Sequence, residues 1–471
     1  MATETIELSG LDGGTVFVSS DQLGADVLRP GDEGWDASVL IWNGMVAKEP
    51  AAVVRPGSAA EVVAAVRLAA DKGLLLSVKG GGHNIAGTSM AEGGLTLDMS
   101  RMQDVTVDQD AALVHVGPGC LIKHVDAATQ ARGLATTLGF VSETGVAGLT
   151  LGGGFGYLTR RFGWTIDSLT EVEIVTADGE VRTANRDENS DLFWAIRGGG
   201  GNLGVVTRFS LRLYPLKPTI TGGMILWGAD RVDEVLATYR QVSESAPREL
   251  TLVSTVRLAP PAPFIPPEWH GKPVVGMVLC HTGANPMADL APIRALGDPI
   301  IDLVMEKPYA AQQSMLDATQ PKGMHYYWKS DFVSALPDGL LDAYKQGGLS
   351  VTSPMSQAVL FHLEGALNTH AEDDGAVGNR DAKYVLAFNA MWPPPDPRSA
   401  EHVAWARESL ARCRPFTTGG NYVNFQVADD GGDRTAAAYR GNFERLQQVK
   451  ATYDPGNLFR VNRNVSPAGA S

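Results

Sequence analysis

Val78-Lys79-Gly80-Gly81-Gly82-His83-Asn84-Ile85-Ala86-Gly87 sets a single imidazole at the end of a triple-glycine turn. The residues leading into it, Leu74-Leu75-Leu76-Ser77-Val78, are apolar and β-compatible, so the turn leaves a strand. Gly80, Gly81 and Gly82 can take positive φ and let backbone N–H groups approach a pyrophosphate closely. His83 then arrives beside the ligand. Taken alone the run has two readings, a plain turn or a ligand loop.

Upstream, Ser58-Ala59-Ala60-Glu61 has the spacing of a capping box and predicts an Ala- and Val-rich helix from 59 to about 72. Val62, Val63, Val66 and Leu68 to Ala70 supply its apolar stripe. A helix-strand unit thus presents the His83 loop. Further strands are predicted near 94–98, 112–116 and 172–176, where β-branched or alternating apolar residues recur.

A second cluster, Thr144-Gly145-Val146-Ala147-Gly148-Leu149-Thr150-Leu151-Gly152-Gly153-Gly154-Phe155-Gly156-Tyr157, packs six glycines into fourteen positions and carries no charge. Such a segment can lie flat against a large ligand, or its glycines can simply relieve crowding in a tight bend. A third run, Gly199-Gly200-Gly201-Asn202-Leu203-Gly204, formally matches the G-x-G-x-x-G dinucleotide fingerprint. Its context is inverted. A helical pattern, Asp191 to Arg197, precedes it and a strand pattern, Val205 to Phe209, follows it, whereas a Rossmann site needs strand before helix.

Composition describes a soluble enzyme. The chain has 471 residues, 44% of them hydrophobic and 20% charged, enough for two or three domains with sizeable cores. Its formal net charge of −14, with no basic run, argues against nucleic acid as a partner. Cys120, Cys280 and Cys413 are scattered and odd in number, so neither a disulfide framework nor a zinc site is predicted, and no metal is expected. The acidic start, Met1 to Glu7, lacks the basic and apolar regions of a secretory signal, and no apolar run is long enough for a bilayer. A cytoplasmic location with no membrane contact is the expectation.

The two glycine clusters combine with Tyr422-Val423-Asn424 and with Asp454-Pro455-Gly456-Asn457-Leu458-Phe459-Arg460-Val461-Asn462-Arg463-Asn464 near the C-terminus. In these motifs, and over nearly its whole length, the chain resembles the berberine bridge enzyme-like FAD-linked oxidases. These belong to the vanillyl-alcohol oxidase superfamily with a PCMH-type FAD-binding domain. Within them it is most similar to the bacterial branch of secondary metabolism, the enterocin-pathway flavoenzyme included. The resemblance implies an α+β architecture: a two-subdomain FAD-binding domain over 1–213, a substrate domain over 214–414 with an antiparallel sheet covered by helices, and a C-terminal segment over 415–471 that returns to the FAD domain.

It also implies the cofactor, FAD, tethered by one 8α-histidyl bond through His83. Lys79, Gly80, Gly81, Gly82, Asn84, Gly87 and Gly117 would surround one part of it. Val141, Ser142, Thr144, Gly145, Gly148, Gly152, Gly153 and Tyr157 would line another. Gly204, Val206, Tyr422, Asn462 and Asn464 complete the expected set. Many relatives carry a second tether, a cysteine eleven residues before the first glycine of Gly-Gly-Gly-Phe-Gly; here that position is Val141, so a single bond is predicted. Thr144 matches the place where the family controls dioxygen access, and two readings stay open there: a hydroxyl acting at the flavin, or a threonine standing in for valine in shape.

For the substrate proton, the Tyr-x-Asn motif points to Tyr422 as base, with Asn424 fixing its hydrogen bonds; the alternative is a tyrosine that only packs on the flavin. Tyr326-Tyr327-Trp328-Lys329 and Phe361-His362-Leu363-Glu364 offer Tyr327, Trp328, Phe361 and His362 as substrate residues. Strand alternation sets Phe361 and Leu363 on one face and His362 and Glu364 on the other. His362 is an alternative base if its face lines the cavity, and a structural residue at the sheet edge if it does not. The activity expected is oxidation of a small, fairly apolar hydroxylated molecule, with O2 as acceptor and an oxygenating variant included. A carbohydrate oxidase and a non-catalytic flavin-binding protein are the alternatives, and both a monomer and a homodimer remain open.

Overall fold

The computed structural model describes residues 5–24 and 26–469, so the first four residues of the acidic N-terminal stretch lie outside it. Near the N-terminus, β1 (Val27–Leu28), β2 (Ala52–Val54), β3 (Leu76–Lys79) and β4 (Leu95–Asp98) form a sheet in the order β1-β2-β4-β3. Strands β2, β4 and β3 run parallel. Such pairing needs a crossover, which α1 (Ala59–Lys72) supplies between β2 and β3.

The helix starts and stops close to where its residues dictate. Ser58 accepts a hydrogen bond from the Glu61 N–H at 3.3 Å, and Gly73, at φ +63°, ends the helix in the left-handed region. The Glu61 carboxylate reaches Gly57 N–H at 2.7 Å, one residue earlier than a standard capping box requires. Val62, Ala65, Val66 and Ala69 are buried on the sheet side. They press α1 on a core with Leu76, Leu95 and Leu97, so β3 is held rigidly where it releases the chain into Gly80.

A second sheet takes the order β8-β7-β9-β6-β5 from β5 (Val105–Asp108), β6 (Leu113–Val116), β7 (Leu169–Val175), β8 (Val181–Asn185) and β9 (Val205–Arg212). Its pairs are antiparallel. The glycine-rich cluster lies between β6 and β7, where α2 (Val146–Leu151) is followed by the bends at Gly153 and Gly154. The 199–204 run joins helix α3 (Ser190–Ile196) to β9, a helix-to-strand turn as its context predicts.

The third sheet is antiparallel and larger. It comprises β10 (Thr219–Gly228), β11 (Leu250–Leu258), β12 (Pro273–His281), β13 (Ile301–Asp302), β14 (Met305–Pro308), β15 (His325–Val333), β16 (Gln357–His362) and β17 (Tyr384–Trp392). The order is β13-β10-β12-β11-β16-β17-β15, with β14 also on β10. Helices α4 (Val232–Ser245), α5 (Asp338–Leu349) and α6 (Ser399–Cys413) cover one face, burying Leu252, Val256, Ala358, Leu360, Leu386 and Phe388. The alternate residues Val253, Thr255, Arg257, Gln357, Val359 and Phe361 face a cavity. Helix α7 (Phe443–Tyr453) then returns the chain to the core of the second sheet, with Leu446 and Val449 buried there. Among the described residues, no helix is long and apolar enough to cross a membrane.

Candidate active site

One cavity of about 1350 Å³ runs from the His83 loop to the face of the third sheet. That exceeds an ordinary small-molecule pocket and leaves room for a dinucleotide together with a second molecule. Its lining joins the two glycine clusters. Gly81 and Gly145 pack backbone on backbone, and a Cβ added at Gly81 would lie 2.6 Å from Gly145 Cα. One added at Gly145 would lie 2.4 Å from Gly81 N. Glycine is required at both by that approach. Gly148 differs, since a Cβ there would meet nothing within 4 Å and would stand in the open cavity.

His83 lines the cavity with its Nε2 buried and without a protein partner. Burial lowers its pKa to about 4, so the ring is neutral across the physiological range. Trp42 stacks on it, ring centroids 4.3 Å apart and planes inclined by 16°, and stacks in turn on Tyr326 at 3.6 Å. The imidazole is thereby fixed in orientation with one ring nitrogen free.

Tyr422 lines the same cavity. Its phenol oxygen accepts hydrogen bonds from Gly154 N–H and from Asn424 Nδ2, each at 3.0 Å. Asn424 also donates to the carbonyls of Gly148 and Leu149, which fixes the amide's orientation and joins the C-terminal segment to the glycine-rich helix α2. Edge contacts with Phe155 and Phe425, at 4.9 and 5.0 Å, immobilise the Tyr422 ring. Burial drives its pKa up to about 12, and the two donors oppose that rise. The protein alone therefore keeps Tyr422 protonated at neutral pH.

Of the residues expected at the cofactor, Gly80, Gly81, Gly82, His83, Asn84, Val141, Thr144, Gly145, Gly148, Gly204, Val206, Tyr422 and Asn462 line the cavity. The others do not. Lys79 is committed to a buried ion pair with Asp98 at 3.0 Å, in the neighbouring strand. Gly117 packs on the backbone of Met102, Gly87 on Val46, Gly152 on the Asn424 side chain and Gly153 on the Trp164 ring. These four glycines permit chain-on-chain contact. Ser142 donates to Asp317, Tyr157 is buried in a hydrophobic cluster, and Asn464 is exposed to solvent.

The substrate residues divide by strand alternation. Trp328 and Phe361 line the cavity; their chain neighbours Tyr327 and His362 turn to the helix-covered face. Tyr327 donates to Asp429 at 2.8 Å and accepts from Arg407 at 2.7 Å. His362 stacks on Tyr384 and is fully buried, with its pKa pushed well down by burial and by Arg160. The expectation that His362 faces the substrate is thus corrected, and so is its place at a sheet edge, because β16 is an interior strand between β11 and β17. Sequence reasoning missed Trp42, whose contact with His83 is made by the fold, and the cavity-facing Gln357, Asn389 and Phe425. Alternation along β11 and β16 is the signal that would have found Gln357.

The residues fit FAD on three observations: the unpartnered His83 Nε2, the cradle open above Gly148, and a cavity of dinucleotide size. Comparison with known proteins agrees. Residues 50–185 match the FAD binding domain family, and residues 421–466 match the family described as berberine and berberine like. The chain is 31% identical to (R)-6-hydroxynicotine oxidase of Paenarthrobacter nicotinovorans, over 94% of this chain and 97% of that protein. It is 28% identical to xylooligosaccharide oxidase of Thermothelomyces thermophilus, over 92% and 90%. In fold it resembles the BBE-like 1 protein of Physcomitrella patens, with a TM-score of 0.84 and 23% identity over 96% of this chain and 99% of that one. Sequence, fold and cavity together assign the chain to the berberine bridge enzyme-like FAD-linked oxidases of the vanillyl-alcohol oxidase superfamily, as an FAD-dependent oxidoreductase.

Proposed function

We propose that this oxidase acts on a small hydroxylated molecule with a largely apolar body, taking hydride from a CH–OH carbon, with Tyr422 receiving the hydroxyl proton. The observation that carries this reading is the phenol oxygen of Tyr422, held between two donors so that its own O–H must point away from both. Two donors on one oxygen favour the phenolate as negative charge develops, the condition for a general base. Val253, Val278, Val359, Phe361 and Met224 give the sheet side of the cavity an apolar floor, which supports a polyketide-like or similar natural product.

Bound FAD supplies two-electron acceptance, and reoxidation by O2 completes turnover. The chain's own residues bind, orient and move the proton. His83, neutral and with Nε2 free, is suited to a single covalent attachment, and Val141 offers no thiol for a second. Thr144, half-buried on the cavity wall, is poised to control oxygen access or donate a hydrogen bond. A carbohydrate substrate is the second reading. It is favoured by the carboxamides of Gln357 and Asn389 beside Trp328, the pairing of aromatic face and amide that suits a sugar.

Steady-state assays of peroxide release against a panel of alcohols, hydroxylated aromatics and oligosaccharides test the proposal. Turnover of apolar alcohols, lost in Tyr422→Phe with FAD content unchanged, is the expected result. Turnover confined to saccharides transfers the assignment to the second reading.

A further inference from the structure

The charged side chains on the cavity lining, histidines aside, are Arg257, Lys307 and Arg463; no aspartate or glutamate lines it among the described residues. Lys307 meets the Met315 sulfur at 3.7 Å, and Arg257, the more enclosed of the two, has no carboxylate partner among the described residues. Arg257 lies near the end of β11, walled by protein yet open to the cavity, and its hydrogen bonds go to neutral oxygens: Nη1 to Gln357 Oε1 and Nε to the Leu258 carbonyl, each at 3.2 Å. Burying a guanidinium without a counter-charge is costly, and natural proteins seldom leave one so unless a ligand supplies the anion.

A second, independent feature lies in the same row. The register aligns Arg257 with Gln357, Gln357 with Asn389, and Asn389 with Trp328 across four adjacent strands. Asn389 and Trp328 are 6% and 9% exposed, both line the cavity, and Trp328 Nε1 and Asn389 Oδ1 are without partners. The side chains of Arg257, Gln357, Asn389 and Trp328 therefore line one space. The row is four residues along β16 from Phe361, which stacks edge-on against Phe155, the neighbour of Tyr422. Four residues of strand span roughly 13 Å. The Arg257 row belongs to the third sheet, apart from the glycine loops that cradle the dinucleotide.

We propose that Arg257 is the specificity anchor of the substrate site and that the substrate is an anion, a hydroxylated molecule whose carboxylate sits at the far end from the oxidised carbon. The inference rests on the reading of this cavity as the substrate site. Arg257 binds one or both carboxylate oxygens in its fork, and the carboxamides of Gln357 and Asn389 flank it along the row. Neutral sugars and cationic amines lack the group that this row accepts.

The test uses the FAD-loaded full chain and two probes of matching length, 6-phenylhexanoate and its neutral amide, titrated by calorimetry. The expected result is at least tenfold tighter binding of the carboxylate. R257Q should bring the two to equal affinity while FAD content stays that of the wild type, and R257K should keep most of the preference. Equal affinities in the wild type, absence of binding by either probe, or a preference that survives R257Q overturns the proposal, as does loss of FAD from R257Q. Should R257Q fail to fold, the wild-type ratio and R257K decide. Tyr422-dependent turnover of neutral alcohols without any carboxylate preference sinks the anchor and leaves the oxidase reading standing. A carboxylate preference without turnover of any hydroxylated acid does the reverse.

Discussion

The indole of Trp42 lies flat on the imidazole of His83, 16° from parallel, and holds that ring on the cavity lining with Nε2 without a protein partner. Neutrality and orientation are the two properties a nucleophilic ring nitrogen needs, and burial supplies the first while Trp42 supplies the second. In His83→Ala, FAD should be released into the supernatant on acid precipitation, whereas the wild type keeps it in the pellet. Trp42→Ala should slow attachment without abolishing it. Flavin that stays with the precipitated His83→Ala protein removes His83 as the tether.

Tyr422 rests protonated, with a pKa of about 12, so the proton-accepting form grows about tenfold per pH unit below that value. A wild-type kcat/KM that climbs between pH 7 and 10 is expected. Tyr422→Phe should lower it by roughly 10²–10⁴ at neutral pH and flatten the profile. Full activity in the phenylalanine variant would leave Tyr422 as packing only.

Gly145 and Gly148 sit three residues apart and predict opposite outcomes. Gly145→Ala drives a Cβ into the Gly81 backbone and should destabilise the fold strongly. Gly148→Ala meets no atom and replaces a helical glycine, so the apoprotein should gain about 0.5–1 kcal/mol while its affinity for FAD falls. Thermal melts with and without FAD separate the two effects. Undiminished FAD affinity in Gly148→Phe would show that the cradle lies elsewhere.

Asp126 is buried with Oδ2 unpartnered, and burial raises its pKa to about 8. The folded chain thus keeps a proton that the unfolded chain gives up near pH 4. Its contribution to stability is complete below pH 4 and is lost as pH rises from there through 8. Asp126→Asn should stabilise the protein by of order 2–5 kcal/mol at pH 8 and by nothing at pH 4. Urea midpoints at the two pH values check this, and an equal shift at both would contradict it.

Much of the site was legible because its signals are local. His83 at the end of a glycine turn and Asn424 two residues after Tyr422 need no tertiary knowledge to be singled out. What was not legible depends on which neighbour a residue meets. Gly152 and Gly148 look alike in the same cluster, yet one packs on Asn424 and the other faces open space. Lys79 stands next to the glycine turn but is claimed by Asp98 in the adjacent strand. Alternation correctly separated Phe361 from His362; it could not say which face the helices would cover.

The bond between Tyr422 and Gly154 N–H joins residues 268 positions apart, and the pocket needs Trp42 and His83 as well. On the ribosome these parts are made far apart in time. At about 5–20 residues per second, His83 leaves the peptidyl-transferase centre roughly 20–70 s before Tyr422 does. For that interval the nascent chain holds an incomplete pocket, its apolar wall and Arg257 being added strand by strand, and the Tyr422 contact that closes it comes last.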